Sequence, residues 1–190
     1  MSKLNTPKTI IGAGLTGLIA AHAWPNACII EKATEAPKAH RALLRFRSDA
    51  VGRLTGVEFR KVRVRKGIYF QGRFCEPNIQ LANLYSAKVL HGRVEGDRSI
   101  WNIDSVDRFV APDTFHEQLI EAVSPRLSLG EDCASFYVGR NPVISTIPLP
   151  SIIIEVVNDY QPGIDFFRAP ITVHRFKVRG ADVFQTIYFP

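Results

Sequence analysis

The sequence predicts an α/β fold interrupted by a smaller mixed module (an α+β insert), and three observations support this. A short apolar stretch near the start of the chain runs directly into three closely spaced glycines. An apolar stretch of helical length follows the glycines, and a second apolar stretch then ends in an acidic residue. A strand, a glycine turn, a helix and a second strand in this order are typical of a βαβ unit with parallel strands.

Within this unit, apolar runs predict strands over 8–12 and 27–31, and the stretch between them predicts a helix over 14–24. Pro25 marks the turn between the helix and the second strand. The polar residues 32–50 show no regular periodicity, so we expect them to be irregular.

The middle of the chain predicts a hairpin followed by a helix. Turn residues at Lys66-Gly67 and Gln71-Gly72 predict that residues 60–75 form a hairpin that turns around the first pair and again at the second. Asn78 can cap a helix that ends near residue 90.

A second helix and several strands are predicted beyond residue 111. Thr114 and Glu117 have the spacing of a capping box, which predicts a helix that ends near Val123. Further strands are predicted at 127–129, 143–147, 152–157, 171–179 and 182–189.

These elements predict a nucleotide-binding half divided along the sequence. Residues 1–50 and 125–150 would form this half, and the strand near 143–147 would rejoin its sheet. Residues 51–124 would form the mixed insert, with its basic hairpin and helices, and residues 151–190 a β-rich segment of a second module.

The glycines have the spacing of a dinucleotide-binding motif, and each has a separate role. Gly12 allows a tight turn after the strand, and Gly14 lets a pyrophosphate approach the backbone because it has no Cβ. Gly17 lets the helix pack closely against the sheet. The alternative is an ordinary βαβ turn that contains glycines and binds no ligand.

Two other features of the motif point to the same ligand. The backbone N–H groups at the start of the helix, at Leu15 and Thr16, would face the phosphates. Glu31 follows Gly12 at about the 20 residues typical of the motif and would accept hydrogen bonds from the ribose hydroxyls.

Basic residues are concentrated in one region. The net charge is +6, and the segment from Arg41 to Arg73 contains ten basic and two acidic residues, so this segment accounts for the whole positive balance. Its centre carries Arg60, Lys61, Arg63 and Arg65. One interpretation is a solvated edge strand. The other is a surface for phosphates, carried by a nucleotide sugar, the cofactor itself or a nucleic acid.

Several classes of protein are disfavoured by composition. The five histidines lack metal-ligand spacing, so we expect no metal site. Three widely separated cysteines indicate a reducing, cytoplasmic environment. The apolar N-terminal segment is interrupted by glycines, which argues against a signal peptide or a membrane span, and no other stretch is long enough to cross a membrane.

The motif at 8–31 resembles the FAD-binding half of flavoprotein oxidoreductases of the glutathione reductase type. Residues 141–148, Asn-Pro-Val-Ile-Ser-Thr-Ile-Pro, are similar to the return strand of UDP-galactopyranose mutase and amine-oxidase-like members. Residues 43–48 resemble, more weakly, the segment that runs toward the flavin in those proteins.

This resemblance implies FAD as the cofactor, with NAD as the alternative, and further site residues. It places Lys32 beside the adenine or ribose, Arg45 and Ser48 near the flavin, and Thr146 on the far side of the pocket. The family's final glycine loop has no counterpart after residue 150, so we expect a chain shortened at the flavin end.

Two functions follow as hypotheses. The first is an FAD-dependent oxidoreductase or mutase-like enzyme in which arginines of the basic region hold a substrate diphosphate and the flavin does the chemistry. No catalytic residue is identified. The second is a non-enzymatic protein, for example a phage-encoded inhibitor, that keeps the FAD-binding scaffold and binds a host protein or nucleic-acid complex through the basic patch.

Overall fold

A computed structural model describes residues 8–38, 43–90, 100, 103–132, 142–148, 152, 172–174 and 184–190. These residues form an α/β fold with two sheets, and the chain divides into two compact units. Unit 1 comprises Met1–Leu44, Asp49–Glu58 and Ala111–His174, and unit 2 comprises Arg45–Ser48, Phe59–Val110 and Arg175–Pro190.

The helices and strands follow one another along the chain in an irregular alternation. In chain order they are β1 (Thr9–Ile11), α1 (Leu15–Ala23), β2 (Cys28–Glu31), β3 (Arg45–Phe46), α2 (Ala50–Thr55), β4 (Arg60–Phe70), β5 (Arg73–Cys75), α3 (Ile79–Leu90), β6 (Val106–Val110), α4 (Phe115–Val123), a 3₁₀ turn (Ser124–Arg126), β7 (Leu127–Leu129), β8 (Val143–Ser145) and β9 (Phe184–Tyr188).

Unit 1 contains a parallel sheet, sheet A, with the strand order β7-β2-β1-β8. Ile10 of β1 is paired with Ile29 on one side and with Ile144 on the other. The strand predicted at 143–147 therefore does rejoin the first sheet, as β8. The order matches the first four strands of a doubly wound sheet, in which the first strand lies at the centre.

The core of unit 1 is built from the apolar faces of these elements. Ile10 and Ile11 of the central strand are fully buried, as is Leu18 of α1. From α4, Phe115 and Leu119 are also fully buried, which is consistent with its strongly one-sided apolar pattern. Cys28, which an apolar strand would be expected to bury, is exposed at the first position of β2.

Unit 2 contains sheet B, with the strand order β3-β6-β4-β5 and with β9 paired to β4 in parallel. β6 and β5 pair with β4 along one side, and β9 pairs with Val64–Ile68 along the other, so this central part of β4 is not the edge strand that one interpretation of the basic region required. The even-numbered side chains Val62 and Val64 of β4 are buried with Val110 of β6, and Phe184 of β9 packs against them.

The predicted turn at Lys66-Gly67 is wrong, because β4 runs without interruption from Arg60 to Phe70. The strand turns at Gln71-Gly72, where φ is +49° and +80°. Pairing with β9 holds Lys66 and Gly67 extended, opposite Thr186 and Ile187. This long-range pairing outweighs the local preference of glycine for turns.

The two helix starts predicted from capping residues have different outcomes. The N–H of Leu81 donates to Asn78 Oδ1 over 2.9 Å, so Asn78 caps α3 as predicted. Thr114 precedes α4 but makes no side-chain capping bond, and its Oγ1 instead accepts a hydrogen bond from Gln118 Nε2 over 2.8 Å. The helix is predicted correctly, but its capping box does not form.

Of the remaining strand predictions, one is corrected, one is confirmed and two lie almost entirely outside the described residues. β3 lies within 32–50, the segment expected to be irregular, and it pairs with β6. The strand predicted at 182–189 is present as β9. Those predicted at 152–157 and 171–179 lie almost entirely outside the described residues.

The two units also have boundaries that differ from the predicted domains. The segments 51–58 and 111–124, predicted to lie in the insert, belong to unit 1. The physical reason is the packing of helices, since α2 and α4 both contact α1.

Candidate functional site

The candidate site lies where the carboxyl ends of β1, β2 and β8 meet the start of α1. The strands are parallel, and the register aligns Ile11 with Ile30 on one side and with Ser145 on the other. The residues that follow these three strands therefore lie at one edge of sheet A. In open parallel sheets this edge is where ligands bind.

Gly12 is required by both its backbone conformation and its surroundings. Its φ of +94° is one that other residues rarely adopt. A Cβ at this position would lie 2.8 Å from Thr146 Oγ1 and 3.0 Å from Ile147 Cγ2. The Gly12 N–H donates to the Ile30 carbonyl over 2.9 Å, which holds the turn against β2.

Gly17 has no room for a side chain, whereas Gly14 has open space beside it. A Cβ on Gly17 would lie only 1.9 Å from the Gly12 carbonyl oxygen, so the first turn of α1 packs directly on the turn that precedes it. A Cβ on Gly14 would meet no atom within 4 Å, and the residue is exposed. The space beside Gly14 is therefore open to a ligand.

The first turn of α1 presents backbone N–H groups without a capping side chain. Gly14 is the N-cap residue, no side chain caps the helix, and its first turn contains no acidic residue. The first intrahelical bond runs from the Leu18 N–H to the Gly14 carbonyl over 3.0 Å. The preceding N–H groups of Leu15, Thr16 and Gly17 have no acceptor within the helix, which makes this end attractive to an anion.

Glu31 is fixed by two backbone N–H groups. Its Oε2 accepts from the Ala13 N–H over 2.8 Å, and its Oε1 accepts from the Ala33 N–H over 3.0 Å. The side chain thereby ties the glycine loop to the residues that follow β2. Each carboxylate oxygen keeps a further lone pair, so Glu31 can still accept a hydrogen bond from a hydroxyl.

Thr146 supports the loop from the end of β8. Its Oγ1 lies 3.0 Å from the Ile11 carbonyl oxygen and 3.1 Å from that of Gly12, and its N–H donates to Ile11 over 2.9 Å. Its hydroxyl therefore faces the backbone of the loop. These contacts give Thr146 a positioning role, which the prediction that it lines a pocket did not include.

The remaining residues taken from the family resemblance are divided between the units. Lys32 is exposed and follows Glu31 directly in unit 1. Arg45 and Ser48 belong to unit 2, where Arg45 lies on β3 with its Nη2 3.4 Å from Thr186 Oγ1. Unit 1 thus brings together the three glycines, the first turn of α1, Glu31, Lys32 and Thr146.

The four basic residues predicted as one patch lie on two faces of β4. Lys61, Arg63 and Arg65 are exposed on one face, as the strand periodicity predicts. Arg60 is exposed on the other face, where its guanidinium lies 5.1 Å from the ring centroid of Phe184.

Asp107 of β6 pairs with two of the three cations on the first face. Lys61 Nζ lies 2.9 Å from Asp107 Oδ2, and Arg63 Nη1 lies 2.9 Å from Oδ1. These two hydrogen bonds, with the attraction of both charges, hold the pKa of Asp107 below its ordinary value.

Arg126 of unit 1 binds three backbone carbonyls, a role that the sequence did not predict. Its guanidinium donates to the carbonyls of Ala21 over 2.7 Å, Ala27 over 2.8 Å and Trp24 over 3.2 Å. It therefore binds the carboxyl end of α1 and the turn into β2. Its location just before a short strand carries no local pattern that would reveal these distant acceptors.

No protein-family model matches the chain, and a search of curated proteins finds no match in sequence. Within the described residues, no helix has the length and apolar character needed to cross a membrane. The same residues contain no group of three or more histidine, cysteine or acidic side chains arranged to hold a metal ion.

Proposed function

We propose that unit 1 binds the adenosine diphosphate part of a dinucleotide, FAD by preference and NAD as the alternative. The observation that carries this proposal is the uncapped first turn of α1, which begins at an exposed glycine beside the carboxyl ends of parallel strands. Backbone N–H groups in this position, with the helix dipole behind them, favour the two negative charges of a pyrophosphate.

The neighbouring residues fit the rest of the ligand. Glu31 ends the strand next to β1, and its free lone pairs suit the hydroxyls of an adenosine ribose. The exposed Lys32 would lie beside the same ribose or the adenine. A flavin, when bound, supplies the redox chemistry, so the contribution of these residues is to bind and orient the nucleotide.

The enzyme class proposed with this cofactor is an FAD-dependent oxidoreductase or a mutase-like enzyme. It rests on the resemblance of residues 8–31 and 141–148 to such flavoproteins. The test is to identify the ligand that denatured protein releases, and then to measure reduction of bound FAD and its turnover. Bound FAD without any turnover would favour the non-enzymatic alternative.

Substitution of Gly14 by leucine tests nucleotide binding directly. The Cβ meets no atom within 4 Å and φ is −65°, so we expect Gly14→Leu to fold normally while its side chain fills the space needed by the pyrophosphate. Calorimetric titration with FAD, NAD and ADP should show binding by the unmodified protein. In Gly14→Leu, affinity should fall at least about 100-fold, the scale of losing charge-assisted hydrogen bonds.

Ala23→Leu is the matched control, because Ala23 is exposed at the opposite end of the same helix. It should bind nucleotide like the unmodified protein. Absence of heat with all three nucleotides, or unchanged affinity in Gly14→Leu, would contradict the proposal.

A further inference from the structure

One face of β4 combines basic side chains with aromatic rings. Because side chains alternate along a strand, Lys61, Arg63 and Arg65 share this face with Gly67 and Tyr69. We call it the Lys61 face. The stretch from Lys61 to Tyr69 extends about 26 Å at the rise of a β-strand. It lies entirely within unit 2.

The aromatic end of the Lys61 face is open to solvent. The ring of Tyr69 packs edge-on against Phe74 at 5.2 Å and against Phe189 at 5.9 Å between centroids. Phe74 is 60% exposed and Phe189 52% exposed. Two phenylalanines exposed to this extent on either side of Tyr69 form an accessible apolar surface at this end of the strand.

Gly67 lets the ring of Phe74 lie over the strand. A Cβ at Gly67 would be 3.2 Å from Phe74 Cε1 and 3.3 Å from Cδ1, so one edge of the ring rests on this glycine. The ring is therefore held on the Lys61 face, next to the cations, while most of its surface stays accessible.

The basic end carries more positive than negative charge. Asp107 pairs with Lys61 and Arg63, whereas Arg65 is exposed and pairs with no acidic side chain among the described residues. Lys61 and Arg63 keep further N–H donors after their bonds to Asp107, since an ammonium has three and a guanidinium five. Three cations in a row can thus track a chain of phosphates.

We propose that the Lys61 face binds single-stranded nucleic acid, with phosphates along Lys61, Arg63 and Arg65 and bases stacked near Phe74 and Phe189. A row of basic side chains beside exposed rings is a combination that suits single strands, because their bases are free to stack. A duplex offers phosphates but no free base faces, and an acidic peptide offers no planar bases. The inference is independent of nucleotide binding in unit 1.

Fluorescence anisotropy with a labelled oligothymidylate of roughly 10 nucleotides tests this site. Arg65→Ala should weaken binding and reduce the slope of log affinity against log salt by about 0.7, the value for one phosphate contact on a single strand. Arg60→Ala is the matched control, since it removes the same charge from the opposite face of the same strand. Its salt slope should stay close to that of the unmodified protein.

Two further variants separate stacking from charge. Phe74→Ala should weaken binding about 5- to 100-fold with an unchanged salt slope, because it removes a stacking surface and no charge. Asp107→Asn should tighten binding and steepen the salt dependence, because it releases Lys61 and Arg63 from their carboxylate. Thermal unfolding of each variant checks that the fold is retained.

Four results would overturn the proposal. The first is no binding of the oligonucleotide at low salt. The second is equal weakening by Arg60→Ala and Arg65→Ala, which would indicate attraction by net charge alone. The third is binding of a duplex of the same length, or of phosphatidylserine vesicles, as tightly as the single strand. The fourth is unchanged affinity in Phe74→Ala.

Discussion

The three glycines of the loop show how one residue type is used for three physical reasons. Gly12 is needed for a backbone conformation, Gly17 for close contact between backbone atoms, and Gly14 for the space it leaves open. The sequence predicted all three roles from spacing, and the first two are visible in the folded chain. The third depends on a ligand and stays a prediction.

Alanine substitutions should distinguish a glycine needed for folding from one needed for binding. A Cβ on Gly17 meets the Gly12 carbonyl oxygen, which belongs to a turn held by backbone bonds and cannot move freely. We expect Gly17→Ala to lower the free energy of unfolding by about 1–3 kcal/mol. Gly14→Ala should cost about 1 kcal/mol or less, the scale of a changed N-cap. Urea unfolding measures both, and equal losses would contradict this account.

His22 should make stability depend on pH. Burial, and to a smaller extent the charge of Arg126, lowers the pKa of His22 below its ordinary value of 6.5. Its Nε2 is buried without a hydrogen-bond partner in the described part of the chain. The unfolded chain therefore binds this proton at higher pH than the folded chain does. Stability should fall as the pH drops through 6.5 and level off once folded His22 is also protonated.

Replacement of His22 by glutamine should remove this component of the pH dependence. The measurement is urea unfolding at a series of pH values on both sides of the ordinary pKa of histidine. His174→Gln is the matched control, because the His174 side chain is exposed. If the two variants give the same pH profile as the unmodified protein, titration of His22 does not contribute to the pH dependence of stability.

At the scale of elements, the two ends of α1 differ in whether a side chain binds their backbone groups. The carboxyl end is bound by the guanidinium of Arg126, which donates to the carbonyl of Ala21 in the last turn and to that of Trp24 just after it. The amino end has no capping side chain. A nine-residue helix is marginal by itself, so its stability depends on such contacts and on packing.

The sequence predicted the type of most elements but not the partners of several strands. The alternation along β4 is predictable, because burial of Val62 and Val64 follows a local period-two pattern. The false turn at Gly67 and the missed strands β3 and β6 have one cause. All three depend on pairing between residues far apart in sequence, which no local pattern encodes.

Local sequence patterns also fail to reveal the long-range contacts of the candidate site. Spacing placed Glu31 beside the glycine loop, but it did not reveal that the Ala13 and Ala33 N–H groups would bind both of its oxygens. Arg126 has no recognisable pattern, because its three acceptors lie about a hundred residues earlier in the chain.

At the scale of the whole molecule, one end of sheet A is formed by β8, a strand from a distant part of the sequence. β8 pairs with β1 across more than half of the chain. Thr146 adds a hydroxyl contact to the carbonyls of Ile11 and Gly12 at the same place. The prediction that this segment rejoins the first sheet rests on its apolar, β-branched composition and on the order of the predicted elements.

Thr146→Val should weaken the attachment of the glycine loop to the end of β8. It places a methyl group against two carbonyl oxygens in place of a donating hydroxyl, so we expect a loss of about 1–3 kcal/mol in the free energy of unfolding. Thr146→Ser keeps the hydroxyl and should lose less. Denaturant titrations of both variants measure the difference, and a valine variant as stable as the serine variant would refute the role assigned to the hydroxyl.

The two hydrogen bonds that Glu31 accepts from the Ala13 and Ala33 N–H groups also affect how a nucleotide would bind. They fix the Ala13 amide and the chain after β2 before any ligand arrives. Less conformational entropy is therefore lost when a nucleotide binds. A larger share of the free energy of each phosphate contact then contributes to the affinity. Such a preorganised loop should bind quickly, without a slow rearrangement that limits the association rate.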